Sequence, residues 1–315
     1  MDDIVKGYAQ DYYDELDKKS ILKEIKNNLE DLISDLPDGI DDAYEKYLNA
    51  IIKHMPSIIL NHPNGKDSLI SEFEGFGCEL TWNGWKSKNT KTFHDRIVDA
   101  MKYKEIRQSI FPKYVVKLGI RTCVYCNAQY ALTVDEEGDE PAAFYELDHA
   151  WPKAKYPFLA ISFFNLQPCC GPCNKRKSDK GKPYSIYVEN SPTESTVLFS
   201  IENESLADYI LTHNRENLKI LVNTKDTVLS ELYDKIGVRK RYAKLNDEAE
   251  EMIWKAKIYN ESYFKQLNTA LERAPINTKT NLFRLLYGIY DGEENVYSRP
   301  LTKMKQDIAK QLKLL

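Results

Sequence analysis

From the start of the chain to about residue 62, apolar positions recur at intervals of three and four. "SILKEIKNNLEDLISDL" places Ile21, Leu22, Ile25, Leu29, Leu32 and Ile33 on one helical stripe, and Pro37-Asp38-Gly39 stops it. "DDAYEKYLNAIIKHM" continues the period with Tyr44, Tyr47, Leu48, Ile51 and Ile52. A turn cluster at 61–67 follows. The stretch from 73 to 93, with Trp82 and Trp85 among Gly and Asn, fits neither period, and burial is the expectation for both indoles. Residues 93–111 read as helix again, with Ile97, Met101 and Ile106 inward and Pro112 interrupting it.

Beyond residue 112 the long period disappears. "QYALTV" at 129–134 and "AFYEL" at 143–147 predict strands joined by an acidic loop, and "YSIYVE" and "TVLFSIE" predict two more after Pro183. From Leu206 onward the pattern is helical, including "LKILVNTKDTVLSELYDKIGVRKRYAKL", "NLFRLLYGIY" and "LTKMKQDIAKQLKLL". The expectation is an α+β chain in three parts: a helical region 1–112, a small core 113–200 and a helical region 201–315.

The chain has 315 residues, 42% of them hydrophobic, enough for one large domain or two ordinary ones. A net charge of −4 does not announce nucleic-acid binding, but the distribution is uneven. Six Lys/Arg stand against one acid between Lys102 and Arg121, and seven against one between Trp151 and Lys182. The acidic N-terminal sequence lacks the apolar core of a secretory signal, and no apolar run is long enough to predict a membrane span. The expected compartment is therefore a reducing cytoplasm, where paired cysteines are more often metal ligands than disulfides.

Two such pairs occur, Cys123-x2-Cys126 and Cys170-x2-Cys173. Each can form a tight knuckle, and four thiolates suit tetrahedral Zn²⁺ while disfavouring Mg²⁺ or Ca²⁺. Cys169 would give the wider x3 spacing to Cys173, so Cys170 is the expected ligand. Zinc alone describes a stapled core, not an activity. Chemistry enters with "YELDHAWPKAKYP", where Asp148 precedes His149, and with Asn165 and Asn174 further along. Carboxylate and amide oxygens are hard ligands suited to Mg²⁺ or Mn²⁺, and a nearby unligated histidine could deprotonate water. Adjacent residues on a strand face opposite sides, so the strand must end or bulge for Asp148 and His149 to serve one site. Glu146 shares the parity of Asp148, and supporting the metal or standing as an exposed strand acid are equally open to it.

The series Cys123-x2-Cys126, Glu146-Leu147-Asp148-His149, Asn165, Cys170-x2-Cys173-Asn174 and Lys177 resembles the HNH, or ββα-metal, nuclease motif in its four-cysteine form, as in McrA-like and endonuclease VII-like enzymes. The match spans about 123–180, and Ser178 stands where members often carry Gly. The resemblance implies a small ββα-metal HNH core with structural zinc on Cys123, Cys126, Cys170 and Cys173. It implies His149 as general base, Asp148 and Asn174 on the catalytic divalent ion, and Asn165 bonding backbone to fix the loop that carries His149. Phosphate contacts fall to Lys175, Arg176, Lys177 and Lys180. Lys113, Lys117, Arg121 and Lys182 are expected to complete one positive groove.

"LGIRTCVYCNAQY" with helical flanks is further similar to HNH effectors of bacterial anti-phage systems, such as the PtuB nuclease of Septu-type systems, which work with an ATPase partner. DNA, a partner protein and self-association are the implied contacts. A free-standing restriction-like nuclease and a non-catalytic zinc module that binds nucleic acid or protein are the alternatives. The helical flanks, acidic to balanced in charge, are expected to serve recognition or assembly.

Overall fold

The computed structural model describes residues 2–134, 141–178, 183–187, 197–259, 263, 266–267 and 279–314. Tertiary contacts divide the chain into two compact units. One comprises Met1–Leu118, Leu132–Cys169 and Ser178–Glu189; the other comprises Gly119–Ala131, Cys170–Lys177 and Asn190–Leu315. Residues 113–200 contribute to both.

In the first unit α1 (Asp2–Lys18) buries Val5, Ala9, Tyr12 and Leu16, and α2 (Ile21–Ser34) buries Ile21, Ile25, Leu29 and Leu32. The chain leaves α2 through Gly39, whose φ of 81° is costly for any residue with a Cβ. α3 (Asp42–Lys53) starts where the Asp41 carboxylate accepts from the Ala43 N–H at 2.9 Å. α4 (Met55–Leu60) and α5 (Lys66–Gly75) follow, then irregular chain to Thr92, which caps α6 (Phe93–Ala100). Trp85 in this chain is buried and Trp82 half-buried against Tyr44.

Pro112 does not end the helical run. A short α7 (Tyr103–Glu105) leads into a π turn at Ile106–Ile110 and then α8 (Phe111–Lys117), with Pro112 in its first turn. A first-turn residue has no intrahelical use for its N–H, so the missing donor costs nothing there.

The aromatic core of this unit closes over the segment that follows His149. Tyr12 meets Phe111, Tyr114 and Phe163 at 5.3–5.7 Å between ring centroids. Phe158 stacks on Phe73 of α5 at 3.9 Å. The expected strand at 143–147 divides at Tyr145. β1 (Leu132–Val134) pairs antiparallel with β2 (Ala142–Phe144), and β3 (Glu146–His149) pairs antiparallel with β4 (Leu166–Cys169), Asp148 opposite Gln167 and His149 opposite Leu166. The acidic loop 135–140 lies outside the described residues. Of the strand expected at 184–189, residues 184 and 185 are irregular, 186 and 187 form a turn, and 188–189 lie outside the described residues. The buried Gln167 side chain takes up this segment's backbone, donating to Tyr184 O at 3.0 Å and accepting from Ile186 N at 3.2 Å.

In the second unit α9 (Gly171–Lys177) carries the last cysteine, and β5 (Val197–Ile201) pairs antiparallel with β6 (Ile220–Thr224). β6 corrects the helical expectation for "LKILVN": Ile220 and Val222 point in while Leu221 points out, and five apolar-rich residues cannot distinguish the two periods until a partner strand pairs with them. Helices α10 (Asn203–Thr212), α11 (Thr227–Ile236), α12 (Val238–Tyr242), α13 (Asn246–Ile258), α14 (Lys279–Tyr287) and α15 (Thr302–Gln311) complete the described part. α15 acts as a side-chain substitute for a strand beside β5. Asp307 accepts from Phe199 N at 3.0 Å, and Gln311 bonds both the N–H and the carbonyl of Ile201 at 2.8 Å. No helix among the described residues is long and apolar enough to cross a membrane.

Candidate functional site

Four sulfurs, from Cys123, Cys126, Cys170 and Cys173, lie within 4.8 Å of one another, all on buried residues of the second unit. The first pair sits on a tight turn in which Asn127 N donates to Cys123 O at 2.8 Å and Cys123 N to Gln129 O at 2.9 Å. Asn127 closes it in the left-handed region (φ 49°), which asparagine tolerates. Its buried amide donates to Thr122 and to Val296 O, at 3.0 and 2.8 Å, fastening the turn to the C-terminal segment. The second pair opens α9, with Cys173 N on Cys170 O at 3.0 Å.

The donor set fits zinc. A tetrahedron with Zn–S near 2.3 Å has sulfur–sulfur edges of about 3.8 Å, and Cys126 Sγ and Cys170 Sγ stand 3.9 Å apart. Hydrogen bonding from Cys123 holds Cys126 down to about 7 and Cys170 below the thiol range, while burial holds Cys123 up. So many sulfurs in one space can all ionise only around a cation. Arg241 donates to Cys173 Sγ at 3.1 Å, and the Tyr242 hydroxyl to Cys126 O at 2.6 Å. Cys169 lies in β4 outside this group, and burial pushes the Cys78 thiol up to about 11, which makes it a poor nucleophile.

In the first unit β3 ends at His149. The imidazole Nε2 is 2.9 Å from Ala160 O, and the ring lies 4.7 Å from that of Tyr103. A carbonyl only accepts, so in the neutral ring Nε2 carries the hydrogen and the lone pair belongs to Nδ1. The Tyr103 hydroxyl, its pKa raised by burial, donates to Leu147 O at 3.0 Å. Asn165 is fully buried and holds both ends of the intervening loop. Its Oδ1 accepts from Trp151 N at 2.8 Å, its Nδ2 donates to Trp151 O and Leu159 O at 3.1 and 2.9 Å, and its carbonyl accepts from Ala150 N at 2.9 Å. Asp148 is buried on β3, next to His149 in sequence.

The structure thus gathers Asp148, His149 and Asn165 in the first unit, and the four cysteines with half-buried Asn174 in the second. On α9, Lys175 and Arg176 are exposed, whereas Lys177 is buried with its ammonium 5.9 Å from the Tyr125 ring and its carbonyl accepting from Lys235. Lys180 and Lys182 lie outside the described residues. Two residues of the expected groove have acidic partners on α1: Lys113 pairs with Glu15 at 3.0 Å and Lys117 with Asp11 at 2.9 Å. Glu146 pairs with Arg107 at 2.6 Å.

Sequence reasoning missed Arg241, Tyr242, Tyr103 and Lys66, each remote in the chain from what it touches. Lys66 is the least expected. It is fully buried, its Nζ has no hydrogen-bond partner, and it lies 4.2 Å from the centroid of Trp151, so burial lowers its pKa to about 7.

No family model matches the chain, and no solved structure matches it. The Septu protein PtuB of Bacillus thuringiensis is 28% identical over 151 residues, which cover 45% of this chain and 47% of that protein. The chain spans about half the length of this curated relative.

Proposed function

We propose that this chain is a metal-dependent HNH endonuclease that hydrolyses DNA phosphodiester bonds, working in anti-phage defence with an ATPase partner. The observation that carries the nuclease reading is the setting of His149. It ends a strand, its Nε2 is committed to a carbonyl, and its loop is held by a buried asparagine. The chain order supports it as well, since β3, the loop, β4 and α9 follow one another with the cysteine pairs on either side. The similarity to Septu protein PtuB supports the defence setting.

In this reading His149 Nδ1 takes a proton from water. The water oxygen forms the new bond to phosphorus, and the bond to the 3′ oxygen breaks. Asp148 and Asn174 offer the hard oxygen donors that suit Mg²⁺ or Mn²⁺. That ion, when bound, supplies Lewis-acid stabilisation of the phosphoryl and departing oxygens. Asn165 keeps the loop, and with it Ala160 O, in place, so the histidine retains one tautomer. Zinc on Cys123, Cys126, Cys170 and Cys173 keeps α9 folded, and Lys175 and Arg176 meet phosphate.

Plasmid nicking in Mg²⁺ or Mn²⁺, compared between the native chain and His149→Ala with zinc content measured on both, tests the proposal. The expected result is cleavage by the native chain alone, with equal zinc. Cleavage by both at similar rates would refute the role of His149. Binding without cleavage under every condition would make this a non-catalytic zinc module. Capture of a nucleotide-binding partner from native lysate tests the assembly.

A further inference from the structure

Among the cations of the second unit with no acidic partner among the described residues are Lys175 and Arg176 on α9, Lys240 on α12, and Lys244 just beyond it. They are not scattered. Arg176 Nη1 lies 3.6 Å from where a Cβ on Gly237 would stand, and Gly237 immediately precedes α12. Lys240 is exposed on α12, and Lys244 is exposed in the turn two residues past its end. Arg241, on the same helix, reaches Cys173 Sγ at 3.1 Å, so the cysteine centre itself fixes α12 beside α9.

The stripe runs into an open cleft of about 760 Å³ lined by Arg215, Lys219, Arg239, Lys240 and Lys244, with Glu216 and Asp247 as its acids. Three of these cations are already answered: Arg215 by Glu216 and Glu250, Lys219 by Glu202, and Arg239 by Asp234. Lys240 and Lys244 are not. Among the described residues no aromatic side chain lines the cleft. It therefore offers charge without a stacking platform, which suits a sugar–phosphate backbone more than unpaired bases. Both lysines line this one cleft, so both can meet phosphates of one strand.

We infer that this stripe is a second docking surface for duplex DNA, leading the backbone from α9 along α12 into the cleft. The choice of DNA rests on the nuclease reading above; the surface itself rests on the charges. It also places DNA contacts in the C-terminal region, whose near-balanced composition hides them.

The test uses the zinc-loaded full chain and a labelled duplex of about 30 base pairs, with salt varied from about 50 to 200 mM and no divalent ion added. Lys240→Ala with Lys244→Ala is expected to weaken binding several-fold and to lower the salt slope by about two, with zinc unchanged. The control, Lys23→Ala with Lys104→Ala, removes the same charge from exposed lysines of the first unit and leaves the slope unchanged. An unchanged slope in the first pair, an equal loss in the control, or no DNA binding by the native chain would overturn the inference. Plasmid cleavage is scored separately. Cleavage with an unchanged slope removes only the surface, and a lowered slope without cleavage removes only the nuclease reading.

Discussion

At the cysteine centre, four sulfurs meet within 4.8 Å on two short turns, and their mutual repulsion once ionised must be answered by a cation. At His149 the polar group is placed by a carbonyl and by one buried amide that holds its loop, beside the ring of Tyr103. The first arrangement is local in the chain and could hold a metal such as zinc. The second is dispersed over helices, loop and strands and is already satisfied by hydrogen bonds. Half-buried Arg241 and buried Lys66 differ in the same way. Arg241 has a sulfur to donate to, whereas Lys66 has an indole face and no acceptor. Stability and activity should therefore respond separately when each region is disturbed.

The largest effect is expected from Cys173→Ser. Structural zinc in small domains contributes on the order of 10 kcal/mol to folding, and three thiolates with an open position bind it far less well. Soluble yield, zinc content and the melting transition should fall together; a soluble, zinc-free, fully active variant would break the comparison on this side. His149→Ala is next, with an expected loss of about 10² to 10⁴ in cleavage rate and little change in zinc or melting temperature.

Asn165→Ala strikes the other region structurally. It removes three side-chain hydrogen bonds, two to the half-buried backbone of Trp151 and one to Leu159 O, which keeps Ser162 N at 3.2 Å; at about 1 kcal/mol each the loss is about 3 kcal/mol in urea unfolding. Zinc content should stay level while cleavage falls. Equal loss of zinc would show that the two regions fold as one.

The smallest effect concerns Lys66. Its folded pKa, about 7, is lowered by burial from the usual lysine range. Below pH 7 both folded and unfolded chains carry the proton, and the folded state bears the full cost of the buried charge. Above it the unfolded chain holds more protons, so stability rises with pH by up to about 1.4 kcal/mol per unit. Unfolding free energies between about pH 7 and 9 should show this rise in the native chain and a flatter profile in Lys66→Met. An identical slope in both would show that the amine is not kept neutral by the fold.

The sequence carried much of this arrangement because the informative residues are close together along the chain. Cys123 and Cys126 share a turn, Cys170 and Cys173 share the start of a helix, and the choice of Cys170 over Cys169 followed from spacing alone. The amphipathic helices were legible for the same reason, since Ile21, Ile25, Leu29 and Leu32 repeat at one helical period. Failures fell where a distant partner decides. β6 is a strand because β5 lies beside it, and residues 184–187 are not a strand because the Gln167 side chain takes up Tyr184 O and Ile186 N. The ion pairs of Lys113 with Glu15 and of Lys117 with Asp11, about a hundred positions apart, were equally beyond local reading.

By itself, then, the sequence determined the ligand pairs, the Asp148-His149 step, the helical period of the flanks and an α+β character, all set by neighbours within a few positions. Tertiary structure decided which nitrogen of His149 bears the hydrogen, which lysines remain unpaired, and which remote arginine, Arg241, meets the thiolates. Those outcomes depend on charges and carbonyls far apart in the chain, and only packing sets the distances over which they act.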